Sequence, residues 1–159
     1  MTRILFLALL LIMATASHAQ KKLPKNKAAI QESVENHKSD LIKISDDIWA
    51  NAEIAFEEYE SSKRLADYAE ANGFTVERGV ADMATAFVAT YGSGKPVIGI
   101  LGEFDALPGI SQKTMPTKEP LEEGAGGHGC GHNMFGTASL GAAIAIKEMM
   151  EAGTIKGTV

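Results

Sequence analysis

Residues 126–133 read Gly126-Gly127-His128-Gly129-Cys130-Gly131-His132-Asn133, which sets a thiol and an imidazole two residues apart. Two of the four histidines and the only cysteine of the chain lie in this stretch. Glycine has no Cβ, so this backbone can turn tightly and approach a bound ion closely. A thiolate with an imidazole suits zinc or another late first-row metal better than magnesium or calcium. The spacing favours half of a transition-metal site; a glycine-rich loop around a buried cysteine and a helix-capping histidine is the alternative.

Downstream of this stretch, the sequence predicts a helix over Asn133–Ala152 that is rich in glycine and alanine. Small residues let a helix lie close against a sheet, and Gly153 is a typical helix stop. Thr154–Val159 then reads as the start of a further strand.

Upstream, Val97–Leu101 is apolar on both faces, so Pro96–Leu101 is predicted to be a central sheet strand. Phe74–Glu77 and Ala86–Tyr91 are predicted as further strands. Tyr91–Lys95 is predicted as a hairpin turn that joins Ala86–Tyr91 to Pro96–Leu101. That turn does not match the phosphate-loop pattern, which argues against nucleotide binding. Helices interspersed with strands predict an α/β fold with a mixed sheet packed with helices.

Two carboxylates, Glu103 and Asp105, follow the predicted central strand directly. The carboxyl ends of sheet strands are where α/β folds build their sites, although acids at loop starts are commonly just solvated. The long loop Ile110–Gly129 that follows is typical of a lid or a site lining.

Nearer the N-terminus, apolar residues recur at steps of four and three, which predicts a helix of about twenty-odd residues. The stripe consists of Ile30, Val34, His37, Leu41, Ile44 and Ile48. We interpret His37 as a packed histidine rather than a metal ligand, because it has no partner nearby in sequence. A second helix is predicted over Ser61–Asn72, with Gly73 as its stop.

The first residues resemble a targeting signal rather than part of the fold. Arg3 precedes the apolar run Ile4–Ala14, and Ser17 and Ala19 stand where a signal peptidase reads small residues. We predict a signal peptide at residues 1–19, a flexible leader at 20–27 and the folded domain at 28–159. The protein is then exported, periplasmic or secreted, with no membrane association after cleavage; an uncleaved anchor is the alternative.

The net charge and the single cysteine limit the classes of function that the sequence favours. The formal net charge of −5 comes with no basic cluster, which argues against a nucleic-acid partner. A lone cysteine in an oxidising compartment is a liability unless it is buried, ligated or catalytic, which favours the metal interpretation.

Two motifs together carry a resemblance to a known family: Gly102-Glu103-Phe104-Asp105-Ala106-Leu107-Pro108-Gly109, and the Cys130-Gly131-His132 element opening a small-residue helix. The chain resembles the amidohydrolase branch of the aminoacylase and carboxypeptidase-like zinc metallopeptidase superfamily. Within that branch it is most similar to the aminobenzoyl-glutamate utilisation protein B group. The likeness runs from about Ile42 to Val159.

The resemblance implies roles for individual residues. Cys130 and His132 match two metal ligands, and Asp105 matches the catalytic-site aspartate that orients groups around the ions. Glu103 stands where other branches have a histidine ligand, which leaves its contact with metal open. His128 is implied to support the loop or the ligands, and Asn133 replaces an aspartate that is usual in relatives.

The family's complete site holds two divalent ions, with zinc or manganese favoured, and hydrolyses the amide bond of an acyl-amino acid or aminobenzoyl-glutamate-like substrate. Its general-base glutamate and remaining ligands would follow the strand at the end of this chain, and Glu122-Glu123 precedes the Cys-Gly-His element and cannot replace them. We therefore expect a truncated N-terminal part of a metallopeptidase catalytic domain, inactive alone, from a truncated or split gene. The lid domain that would support a homodimer comes later in the family.

Two alternatives stay open. One is a non-catalytic metal-binding or partner-binding protein that uses the Cys-Gly-His half-site with ligands from another chain. The other is a decayed fragment that does not fold stably, because the sheet would expose an edge.

Overall fold

The computed structural model describes residues 23–159, and the predicted signal peptide lies outside them. In chain order the elements are α1 (Lys25–Asn51), α2 (Tyr59–Ala71), β1 (Thr75–Arg78), a short 3-10 turn (Val80–Asp82), β2 (Phe87–Thr90), β3 (Gly92–Ser93), α3 (His132–Glu151) and β4 (Gly157–Thr158). Helix α1 begins at Lys25, so the last residues of the predicted flexible leader are helical.

Only part of the predicted apolar stripe of helix α1 is buried. Leu41, Ile44 and Ile48 are buried, whereas Ile30 and Val34 are 38% and 43% exposed. The reason is the length of α3, which runs antiparallel to α1 and ends at Glu151. Its last turns reach the level of His37, and among residues 23–159 no helix covers Ile30 and Val34.

The core forms where α1, α2 and α3 meet β1 and β2. Its buried residues are Ile44, Ile48, Leu65, Ala69, Phe74, Leu140 and Ile144. Glu53 supports the start of α2, because its carboxylate accepts hydrogen bonds from the Glu60 and Ser61 amides at 3.0 and 2.8 Å. These contacts satisfy amides that a helix N-terminus leaves free.

The strands form two small sheets. β1 pairs with β2 antiparallel, from Thr75 opposite Thr90 to Arg78 opposite Phe87. β3 pairs with β4 antiparallel, and Thr158 of β4 also forms a parallel bridge with Val97. Pairing of both senses at β4 makes the arrangement mixed, as predicted.

The predicted hairpin and central strand are wrong. The last residues of the chain lie between the two segments that were expected to pair: Val159 exchanges both backbone hydrogen bonds with Tyr91, at 2.8 and 3.0 Å. On the other side of this C-terminal segment, the Thr158 amide donates to the Pro96 carbonyl, and the Thr158 carbonyl accepts from the Ile98 amide. Residues 99–101 then form no strand, because no described segment lies beside them to pair with. Turn residues alone could not reveal a segment inserted from some 60 positions away.

Within residues 23–159, no helix combines the length and apolar character that crossing a lipid bilayer requires.

Candidate metal centre

Short backbone pairings hold the acidic turn after the apolar segment against the glycine-rich loop. Ala106 is buried, and its amide donates to the Glu53 carbonyl at 2.7 Å. Leu107 and Gly127 exchange two backbone hydrogen bonds, at 3.0 and 2.9 Å. The turn that carries Asp105 is therefore fixed next to the loop that leads to His132.

The glycines of this loop serve close backbone packing. A Cβ at Gly126 would lie 2.5 Å from the Ala52 carbonyl oxygen, and one at Gly127 would lie 2.4 Å from that of Ile110. Both distances are too short for any side chain. The sequence suggested glycines for the approach to an ion, whereas these two permit the approach of neighbouring loops.

Helix α3 completes the site from the other side. Gly131, with a φ of 85°, turns the chain into α3, and His132 is the first residue of the helix. The His132 Nδ1 lies 2.7 Å from the Asp105 carboxylate, and its Nε2 lies 3.1 Å from the Glu103 carboxylate. The side chains of His132, Asp105 and Glu103 are 18%, 25% and 48% exposed, so the site opens to solvent at Glu103.

The two contacts of His132 have different chemical meanings. A carboxylate only accepts hydrogen bonds, so Asp105 requires a proton on Nδ1. In the neutral ring, Nε2 then carries a lone pair, and it faces a Glu103 oxygen that also offers only lone pairs. A cation, either a proton or a metal ion, between Nε2 and Glu103 resolves this opposition. An imidazole held by a carboxylate through the other nitrogen is a common arrangement of histidine ligands, so these donors fit a metal ion.

Cys130 does not complete a closed site. It is exposed in the loop before α3. In the part of the chain that the structure describes, no three His, Cys, Asp or Glu side chains converge to hold a metal ion. The structure sets Asp105 and Glu103 on opposite nitrogens of His132, so the three side chains do not surround one point, and the assignment of Cys130 and His132 as ligands stays a prediction.

His128 and Asn133 support the local structure. The His128 Nε2 lies 3.0 Å from the Ile48 carbonyl and donates to it, which ties the loop to the end of α1. Burial lowers the pKa of His128, although this hydrogen bond partly opposes the shift. Asn133 is buried and donates to the Ser45 hydroxyl at 3.1 Å.

Sequence reasoning left the role of Glu103 open. The contact with His132 spans 29 positions, and local patterns do not reveal such distances. The available signal was the spacing of Glu103 and Asp105, two positions apart after an apolar segment, which favours side chains that face one way in extended chain.

Comparison with known proteins shows which solved structures this fold resembles. No family model matches the chain. Its structure is similar to an M20-family dinuclear metal-binding peptidase from Bacillus subtilis, with a TM-score of 0.65 and 27% identity over 79% of this chain. It is also similar to a protein described as an aminohydrolase from methicillin-resistant Staphylococcus aureus, with a TM-score of 0.67 and 25% identity over 83% of this chain. The predicted α/β fold class is confirmed.

In sequence, the chain is similar to a p-aminobenzoyl-glutamate hydrolase component of Escherichia coli (strain K12), with 45% identity over 133 residues, or 82% of this chain. The resemblance predicted from the two motifs is therefore confirmed. The chain spans 27% of the length of that relative and 33% and 34% of the two solved structures. It thus corresponds to part of the architecture of these proteins.

Proposed function

We propose that this chain contributes His132, Glu103 and Cys130 to the metal centre of an amidohydrolase. The opposed lone pairs of the His132 Nε2 and the Glu103 carboxylate carry the proposal, because they call for a cation between them. Hydrolases among the similar proteins, one of them described as dinuclear metal-binding, support it. Zinc or manganese is the ion we favour, since a thiolate and an imidazole suit zinc, whereas a carboxylate such as that of Glu103 suits manganese.

The residues of this chain have different roles in the proposed site. Asp105 holds the Nδ1 proton of His132 and so fixes the ring orientation. Glu103 lies at the open side of the site, where it can help to bind a cation and face an incoming substrate. A bound ion in such a site polarises the amide carbonyl and lowers the pKa of a bound water. The substrate we propose is an acyl-amino acid or an aminobenzoyl-glutamate-like amide.

We also propose that residues 1–159 do not turn over substrate alone. Amide hydrolysis needs a general base besides the metal ligands, and within residues 23–159 no three His, Cys, Asp or Glu side chains are placed to hold a metal ion. Glu122 lies exposed in the long loop, where its backbone amide donates to the Ser111 hydroxyl, and the carboxylates that contact His132 are those of Glu103 and Asp105. Purified chain with zinc or manganese and aminobenzoyl-glutamate should show no hydrolysis; clear metal-dependent turnover would contradict this part of the proposal.

Metal binding is tested by calorimetric titration of the chain with Zn²⁺ and Mn²⁺. We expect His132→Ala to abolish binding, and Glu103→Gln to weaken it by on the order of tenfold. Glu122→Gln is the matched control, since it removes an exposed carboxylate that is not one of the two in contact with His132, and it should bind as the parent does. Equal affinity in all variants would refute the metal centre.

A non-catalytic role is the second candidate, because the exposed Cys130 is available to a partner chain. Fusion of this chain to the remainder of the Escherichia coli relative distinguishes the two candidate functions. Metal-dependent hydrolysis by the fusion supports the enzyme, whereas metal binding without hydrolysis supports the binding protein.

A further inference from the structure

A cleft of about 340 Å³ lies between the C-terminal end of α1 and the long loop that follows the acidic turn. Trp49 lines it from α1, and Leu121 lines it from the loop. Trp49 is partly buried, whereas Leu121 is 58% exposed. A concave site of this size with apolar walls and a few polar groups is typical of a small-molecule binding site.

The cleft borders the proposed metal centre. His128 and Gly129 line it. The Gly131 amide donates to the His128 carbonyl at 3.2 Å, which closes a turn whose first and last Cα atoms lie within about 7 Å. Cys130 is part of this turn, and His132 follows it directly. The cleft is therefore one short turn away from the proposed metal ligands.

The free backbone groups at the end of α1 are hydrogen-bond acceptors. The helix ends at Asn51, so the carbonyls of its last residues have no following helical turn to accept from. Within residues 23–159 no backbone amide donates to the carbonyls of Trp49, Ala50 and Asn51, all of which line the cleft. The Ile48 carbonyl, by contrast, is bonded to the His128 ring. A ligand beside these carbonyls needs N–H or O–H groups to donate.

The charges around the cleft favour a ligand with an amine over one with a carboxylate. The Lys113 ammonium lines the cleft but is paired with the Glu119 carboxylate. The Glu122 carboxylate also lines the cleft and is exposed. The C-terminal end of a helix adds a partial negative charge. The carboxylates of an amino-acid leaving group are therefore disfavoured in this cleft.

We propose that this cleft binds the acyl side of the substrate, and that this acyl group is an aromatic amine such as a 4-aminobenzoyl group. The ring packs against Trp49 and Leu121, and the amine donates to the free carbonyls at the end of α1. This assignment rests on the proposed amidohydrolase function and adds an orientation to it. The amino-acid carboxylates of the substrate point away from the cleft.

The test titrates the whole chain, without metal, with 4-aminobenzamide and follows binding by NMR. Trp49 is the only tryptophan, so its indole N–H gives a single signal, and the amides of Gly127 and Gly129 report on the other wall. We expect all three signals to shift, with a dissociation constant on the order of 1 mM for a probe of this size. Benzamide, which lacks the amine, should bind about fivefold more weakly.

Two variants test the walls of the cleft. Trp49→Leu and Leu121→Ala should each weaken 4-aminobenzamide binding by on the order of tenfold, because each removes apolar contact with the ring. Leu121 is largely exposed, so its truncation leaves the core intact. Ile42→Ala is the matched control, since Ile42 is 52% exposed on α1 outside the cleft, and it should bind as the parent does.

Other outcomes overturn the proposal. Equal binding of 4-aminobenzamide, benzamide and cyclohexanecarboxamide excludes recognition of an aromatic amine. Tighter binding of phenylalaninamide assigns the cleft to the α-ammonium group of a dipeptide instead. Unchanged affinity in both wall variants, with the α3 amides still protected from exchange, excludes the cleft.

The metal centre and the cleft can fail separately, because the probe binds without metal. Zinc binding that is absent while 4-aminobenzamide binds would contradict the metal centre alone. Zinc binding without any shift of the Trp49 indole signal by 4-aminobenzamide would contradict the cleft alone.

Discussion

Asp105 and Glu103 act on the two nitrogens of one imidazole. Asp105 accepts the Nδ1 proton of His132 at 2.7 Å and is partly shielded from solvent, whereas Glu103 faces Nε2 from the open side. The Asp105 carboxylate therefore orients the ring, and the Glu103 carboxylate is placed to stabilise a bound cation by its negative charge. Cys130 presents its thiol from the loop just before the helix.

Cys130→Ser tests the thiol in the fusion with the Escherichia coli relative's remainder. A serine hydroxyl is a much poorer ligand for zinc than a thiolate, so metal and hydrolysis should be lost together, by more than the roughly 10–100-fold cost of losing an outer contact. Metal analysis and initial rates measure this. Full metal occupancy and full rate would show that Cys130 is not a ligand.

Asp105→Asn should have a milder effect on metal content. Asparagine keeps the size but removes the charge that holds the His132 proton, so we expect a loss of about 10–100-fold in metal affinity or rate. The same fusion and the same two measurements apply. A loss of metal as complete as that of Cys130→Ser would instead make Asp105 a direct ligand.

Helix α3 links the packing to the site through its small residues. A Cβ at Gly136 would lie 2.8 Å from the Glu103 carbonyl oxygen, whereas one at Gly141 would meet the end of the Leu41 side chain at 2.9 Å. The Ser139 hydroxyl also donates to the Leu101 carbonyl at 2.7 Å. The acidic turn thus lies directly on the helix backbone, which sets the position of Glu103.

Gly136→Ala and Gly141→Ala form a matched pair on this helix. The first forces two backbones apart, so we expect the free energy of unfolding to fall by about 1–3 kcal/mol and zinc binding to weaken. The second needs only a rotation of Leu41, and the gain in helix propensity offsets part of its cost. Urea unfolding and zinc titration compare them; equal losses would contradict the close approach at Gly136.

His37 connects three helices, and we interpret it as a structural residue rather than a metal ligand. Its Nε2 lies 2.9 Å from the Glu148 carboxylate of α3, and its Nδ1 lies 2.8 Å from the Tyr68 hydroxyl of α2. We expect His37→Gln to lower the free energy of unfolding by about 1 kcal/mol. Urea unfolding checks this, with the exposed Lys43→Gln, expected to change stability by about 0.5 kcal/mol or less, as the control. Altered zinc stoichiometry in His37→Gln would contradict a purely structural role.

At the scale of the whole molecule, we propose separate roles for the folded body and the N-terminal segment. The body packs three helices against two small sheets, and we propose that the residues before it direct export. Cleavage after Ala19 should leave a mature protein that begins at Gln20 and lies outside the cytoplasm. N-terminal sequencing of the fractionated protein measures this, and recovery of Met1 from a soluble cytoplasmic fraction would overturn it.

Features with local causes could be predicted from the sequence. Helix α3 was expected at Asn133–Ala152 and spans His132–Glu151, and α2 was expected at Ser61–Asn72 and spans Tyr59–Ala71. Periodicity and a glycine stop act within a few residues, so they are readable without the fold. The two motifs likewise identified the class of protein, because their residues are neighbours in sequence.

The tertiary structure decided what depends on distant residues. The insertion of Thr158 and Val159 beside Tyr91 replaced the expected hairpin, and the exposure of Ile30 followed from where α3 ends. Residue types along the chain made His132 a candidate ligand, but only folding set Asp105 and Glu103 on its two nitrogens. Sequence patterns act over one helical turn or one strand, whereas strand partners and site geometry depend on long-range contacts that form only when the whole chain packs.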